Sequence, residues 1–206
     1  MKIYNLIILD ESGSMQSIKQ AAIDSVNETL QSIRAAQKEN EDQEHFVTFV
    51  SFNSRVKTLF DCVSADSVND LKDNDYSPAT LTALYDAMGM SLTTLRERVK
   101  EDDKVLVTIV TDGMENASKE YSGVAIKALV DELKARGWIF AYMGANHDVE
   151  AAAAHISITN VMHFEASIHG ADEMSKKQKY AREGLYKRMS ESSFSAEKEN
   201  LDFFKE

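Results

Sequence analysis

The apolar positions of this chain change period several times, and each change marks an element. Residues 3–9 form a short run rich in Ile and Leu that stops at Asp10-Glu11-Ser12-Gly13, which predicts a buried strand ended by a turn. Over 15–38 the spacing becomes helical, with Ile18, Ala22, Val26, Leu30 and Ile33 on one face. A charged connector, Lys38 to Glu44, leads to a second strand at His45–Phe52. Asn53-Ser54 then turns into a third at Arg55–Val63. So short a link requires a hairpin, and therefore one antiparallel strand. The loop 64–79 is polar and holds Asp66, Asp70, Asp73 and Asp75. Past Ser77-Pro78, residues Leu81, Leu84, Met88, Leu92, Leu95 and Val99 step by three and four along a helix.

Asp103–Val110 reads as the next buried strand, followed by Thr111-Asp112-Gly113. A helix is expected at about 118–136 with Gly137 as its stop, then a strand at Trp138–Met143, a short Ala-rich helix at 148–155 and a last strand at 160–164. Strands alternating with helices of this length predict an α/β three-layer sandwich, its doubly wound, mostly parallel sheet of six strands carrying one antiparallel edge strand. Two parts are expected: a domain over 1–166, and a helical extension with a polar tail over 167–206.

Charge and composition narrow the partners. Acids outnumber bases 34 to 23, a net charge of -11 over 206 residues, which argues against nucleic acid, since phosphate binding needs a basic footprint. It suits a soluble protein that attracts cations. No apolar run is long enough to span a membrane, and the first run breaks too early for a secretory leader, so a cytoplasmic location is expected. Cys62 is the single cysteine, which excludes an internal disulfide.

Candidate chemistry gathers where strands end. Asp10, Ser12 and Ser14 fall at every second position, so in extended chain all three side chains point the same way. One carboxylate and two hydroxyls make about half of the oxygen shell that a hard cation such as Mg2+ requires. Two later segments reach the same sheet edge, Asp112 after its strand and Thr80, with Thr82 two residues on, before a helix. Each alone can be a turn or a helix cap. Independent caps have no reason to yield the joint set Asp10, Ser12, Ser14, Thr80 and Asp112.

That set resembles the metal-ion-dependent adhesion site of von Willebrand factor A domains, written Asp-x-Ser-x-Ser, then Thr, then Asp, over roughly residues 1–165. The wording Thr82-Ala-Leu-Tyr-Asp-Ala and Thr111-Asp-Gly-Met-Glu-Asn-Ala-Ser118 is similar to small stand-alone bacterial or phage members, including those beside tellurite-resistance genes. The resemblance implies Mg2+ or Mn2+, with Ca2+ a third candidate. It implies Ser12 and Ser14 as direct ligands, and Asp10, Thr80 and Asp112 as ligands held directly or through water. It also implies a non-enzymatic module whose metal takes a Glu or Asp carboxylate from a protein partner. Two carboxylates only neutralise a divalent ion, so the ion keeps its appetite for one more anionic oxygen. Glu11 and Glu115 lie in the same loops and predict an acidic rim, which would favour basic residues around the donated carboxylate.

Two alternatives share these residues. A phosphohydrolase would use Asp10 as nucleophile, but it needs a second Asp where Ser12 stands and a phosphate-binding Lys. A scaffold subunit would keep the metal for structure alone. The histidines His45, His147, His155, His163 and His169 show no metal spacing, and no Gly-x-Ser-x-Gly nucleophile pattern occurs. His147-Asp148 reads as loop and cap, the acids of 66–75 as a solvated loop, and Cys62 as buried and inert.

Overall fold

Strand β1 (Lys2–Asp10) lies mid-sheet, paired in parallel with β2 (Glu44–Phe52) on one side and β4 (Lys104–Thr111) on the other, in a computed structural model that describes residues 1–205. The sheet order is β3-β2-β1-β4-β5-β6, with β3 (Val56–Ser64) antiparallel at one edge and β5 (Trp138–Gly144) and β6 (Val161–His163) parallel at the other. Chain direction away from β1 reverses between β1 and β4. In open α/β sheets that switch point opens a crevice at the carboxyl ends of the strands, and Asp10 and Asp112 both end there.

Alternation along β1 divides the core. Ile3, Ile7 and Leu9 face α1 (Lys19–Glu39) and α5 (Ile168–Met189), whereas Tyr4, Leu6 and Ile8 face α2 (Leu84–Arg96), α3 (Gly123–Ala135) and α4 (Val149–His155). Gly137, at φ +84°, ends α3 as its sequence position implies. The residues after 167, expected as an extension with a tail, form α5 and α6 (Ala196–Asp202). Leu185, Tyr186, Met189 and Phe203 are buried in the same core as β1. Because β6 pairs only with the end of β5, the rest of that edge needs partners. Asn200 of α6 supplies them, accepting from the Phe140 N–H at 3.0 Å and donating to the Trp138 carbonyl at 2.8 Å. Among the described residues no helix is long and apolar enough to cross a membrane.

Two helices start later than their periodicity predicts. α2 begins at Leu84 rather than Leu81, and α3 at Gly123 rather than near 118. In both cases the preceding N–H groups are taken by side chains of the other segment. The Thr82 N–H goes to Asn116, and the N–H groups of Lys119, Glu120 and Tyr121 go to the Asp86 carboxylate at 2.8–2.9 Å. The acidic loop 64–79 is braced rather than free: Asp66 accepts from Gln37, Asp70 pairs with Arg34, Asp73 with Lys19, and Asp75 caps Lys72.

A polar chain threads the α1/α5 side of the sheet. Arg182 is fully buried. Its Nη2 donates to Thr108 Oγ1 at 2.9 Å and its Nη1 to the Tyr186 hydroxyl at 3.3 Å. Tyr186 in turn donates to Asn5 Oδ1, and Asn5 meets His45 Nδ1 at 3.4 Å. Gln43 closes the chain, its Oε1 accepting from His45 Nε2 at 3.0 Å and its Nε2 donating to the Tyr186 carbonyl at 2.7 Å. Burial, helped by the Arg182 charge, holds the His45 imidazole down at a pKa of about 4.

Candidate metal centre

The centre is built on the last residue of β1 and the loop that follows. Asp10 is completely buried; its Oδ1 accepts from the Ser12 N–H at 2.7 Å and its Oδ2 from Thr111 Oγ1 at 2.6 Å. Ser12 and Ser14 bring their hydroxyls to 3.1 Å from one another, and Ser14 Oγ donates to Asp112 Oδ1 at 2.5 Å. Ser12 occupies the cap position of the short 3-10 turn Gly13–Ile18 without making a capping bond from its side chain. The hydroxyls therefore turn toward the carboxylates instead of serving the helix. Asp10, Ser12, Ser14 and Asp112 come together as expected.

Thr80 does not join them. Its Oγ1 meets Ser54, at 3.1 Å from Ser54 Oγ and 3.4 Å from the Ser54 N–H, on an exposed side chain. The cause is its backbone, which sits at φ 63°, a left-handed conformation that breaks the alternation assumed for an extended loop. Thr82 is the threonine that turns inward, and it is buried. A Cβ built on Gly113 would lie 3.2 Å from Thr82 Oγ1 and 3.8 Å from both Asp10 Oδ2 and Ser14 Oγ. Three oxygens from two segments thus surround a glycine of the third, whose missing side chain leaves room for the close approach of Thr82.

Neighbouring acids hold the three segments in register. Glu11 is buried, accepting from Ser51 Oγ at 2.6 Å and the Ser77 N–H at 2.5 Å, and its backbone bonds Phe52 and Ala79. Tyr76 donates to the Asp10 carbonyl at 2.5 Å, and the Gly13 N–H to the Thr80 carbonyl at 3.2 Å. Glu115 accepts from Tyr85 N–H at the start of α2 and from the N–H groups of Ala117 and Ser118. Asp86 of α2 reaches back to residues 119–121, so α2 and the loop 113–121 cap each other. The carboxylates of Glu11 and Glu115, expected at the rim, are both engaged by N–H and O–H donors inside the loops.

The electrostatics are those of a cation site. Burial raises Asp10 to a pKa of about 6, offset in part by its hydrogen bonds, and burial likewise raises Asp112. Asp112 Oδ2 is buried and has no hydrogen-bond partner among the described residues. Buried acceptors are nearly always satisfied. A divalent ion would satisfy this one and reverse both pKa shifts. The donor set, two carboxylates and three hydroxyls, is oxygen only, which fits Mg2+, Mn2+ or Ca2+.

The family model described as von Willebrand factor type A domain matches residues 6–191. Solved structures repeat the architecture. A von Willebrand factor type A protein from Catenulispora acidiphila superposes at TM-score 0.63 with 12% identity, over 89% of this chain and 43% of that one. Manganese-loaded TRAP protein from Plasmodium vivax gives 0.56 and 16%, over 85% and 71%. Proximal thread matrix protein 1 from the mussel byssus, with a zinc-occupied MIDAS motif, gives 0.57 and 16%, over 84% and 44%. At these identities the likeness is one of fold, and this chain spans less than half the length of the first and third. No curated protein sequence matches it.

Proposed function

The chain belongs to the von Willebrand factor type A domain family, and from that premise we propose that it is a divalent-metal-dependent protein-binding module. Asp10, Ser12, Ser14, Thr82 and Asp112 would hold Mg2+ or Mn2+, with Thr82 in place of Thr80. The observation that carries this reading is the unpartnered, buried Asp112 Oδ2 beside a second buried carboxylate and a ring of hydroxyls. The manganese and zinc of the Plasmodium and mussel proteins support a divalent ion in this fold.

When bound, the ion supplies Lewis acidity toward an anionic oxygen. The protein side of the device is the charge balance and the scaffold. Asp10 and Asp112 would neutralise the ion without over-binding it, while Thr111 and the Ser12 N–H fix the Asp10 carboxylate and Ser14 orients Asp112. The bound ion would then be free to take a Glu or Asp carboxylate of a protein partner.

Calorimetric titration of the metal-free chain with Mg2+ and Mn2+ tests this. One saturable site, lost in Asp112→Ala and weakened in Thr82→Ala with the fold intact by circular dichroism, is expected. Absence of binding by the wild type would overturn the reading. Retained protein binding after the metal is removed would reassign the ion to a structural role.

A further inference from the structure

We propose that a groove along α5, sharing no residue with the metal centre, binds an acidic protein segment that carries an apolar anchor. The groove has a volume of about 600 Å3. Ala181 and Gly184 of α5 line it together with Phe203 and Phe204, which follow α6. Tyr180 lines it too and is left 75% exposed, an aromatic ring mostly in water. Lys176, Lys177, Arg188 and Lys205 complete the lining. This concentration of bases is unusual for the chain. Residues 176–188 hold six of its 23 bases and one of its 34 acids.

Arg188 is the most firmly placed of these bases. Its Nε and Nη2 donate to the two carboxylate oxygens of the buried Glu199, each at 2.8 Å, which fixes the guanidinium plane. Its Nη1 makes no hydrogen bond among the described residues. That nitrogen lies over Gly184, where an added Cβ would come within 2.9 Å of it. Glycine inside a helix is destabilising relative to alanine, and the added Cβ would meet nothing but this guanidinium. What Gly184 preserves is space for the free edge of Arg188. Lys177 has no acidic partner among the described residues, and Lys176 and Lys205 are paired only at exposed sites, where ion pairs are weak. An entering carboxylate therefore finds donors, and an apolar neighbour finds the rings of Tyr180 and Phe204. A long nucleic acid or a membrane would extend past this patch onto a surface where acids prevail. A concave groove also suits a chain segment better than it suits a bilayer.

The test uses the full chain and a fluorophore-tagged peptide with Glu and Asp on both sides of one phenylalanine. Its Gln/Asn counterpart, a version with glycine for the phenylalanine, oligothymidylate and phosphatidylserine vesicles are compared with it. Binding of the acidic peptide, equal in EDTA and in Mg2+ and weakened by salt, is expected, with the Gly184 amide resonance reporting location. The neutral counterpart and the glycine version should both bind less well. Lys177→Glu should weaken binding about tenfold, as an attraction becomes a repulsion. Gly184→Ala should weaken it while the melting temperature holds or rises, a combination that a purely structural glycine would not give. Equal affinity for the neutral counterpart, tighter binding of oligothymidylate or vesicles, or no binding of the acidic peptide overturns the inference. So does binding that EDTA abolishes, which would place the peptide at the metal centre. Binding in EDTA by a chain that fails to take Mg2+ still supports it, so the two readings fail separately.

Discussion

The structure buries charged groups in two places, and the two make an instructive pair. At the carboxyl edge of the sheet, Asp10 and Asp112 crowd together with no cationic side chain among the described residues bonded to either. On the α1/α5 side, Arg182 is sealed in with only a threonine and a tyrosine hydroxyl as acceptors, and its Nε has no partner among the described residues. Burying either sign without an opposite charge is costly. The carboxylate pair opens on the carboxyl edge of the sheet, where an ion can reach it. Arg182 lies under α5 against the middle of β4, where nothing can. One cluster is completed from outside the chain, and the other is completed by dipoles within it.

Replacing Arg182 is the most severe way to probe that contrast. Arg182→Ala removes the donor to Thr108 and Tyr186 and leaves a void, so a loss of about 3–5 kcal/mol is expected in denaturant titration. Arg182→Met, which keeps the volume without the charge, should cost far less. Neither should change Mg2+ affinity, and a large change would mean that the two clusters are coupled.

The pH profiles should run in opposite directions. Asp10 keeps its proton up to about pH 6 in the fold against 3.8 normally, so metal-free stability falls as pH rises through that interval, by about 3 kcal/mol. His45, held near 4 against 6.5, works the other way: its contribution is present above 6.5 and is lost, by about 3 kcal/mol, as pH falls toward 4. In EDTA these two contributions nearly cancel. Asp10→Asn should uncover the His45 slope, with stability falling on acidification, and saturating Mg2+ should do the same to the wild type. Unfolding free energies between pH 4 and 7 check both. A wild-type profile unaffected by Mg2+ would break the contrast.

The threonines sharpen it on a finer scale. Thr82→Ala should weaken Mg2+ binding about tenfold, as expected for losing one oxygen near the ion, and Thr80→Ala should leave it within about twofold. The smallest effect is expected for Glu11→Gln, which keeps the Ser77 N–H bond but loses charge. About 1 kcal/mol of stability should go, with only a slight change in metal affinity. Thermal melts and calorimetry measure the pair.

These contrasts explain what the sequence could disclose. The alternating hydrophobic runs were enough for the sheet, its edge hairpin and the convergence of Asp10, Ser12, Ser14 and Asp112, because all depend on strand periodicity and strand ends. Which threonine turns inward was harder to read, because Thr80 and Thr82 stand two apart and would share a side in extended chain. A positive φ at Thr80 separates them, and no local residue type announces it. The one hint was position, since Thr82 directly precedes the buried Ala83 and Leu84. The inward turn of Glu11 and Glu115 depends on contacts 40 or more residues away in one case and 30 in the other, beyond any local pattern. Arg182 was invisible for a related reason: α5 is polar along most of its length, and its buried stripe includes Gln178 and Arg182 themselves.

The mutual capping of α2 and the 113–121 loop bears on how transferable this centre is. The five oxygen donors proposed above come from three short stretches, which makes grafting them onto another parallel sheet look simple. Thr82, however, is held by Asn116, α2 is started by Glu115, and the loop is folded by Asp86. A transplant or a loop swap between relatives must carry residues 80–86 and 113–121 as one cassette. Moving either stretch alone would strand its partner's N–H groups and lose the centre.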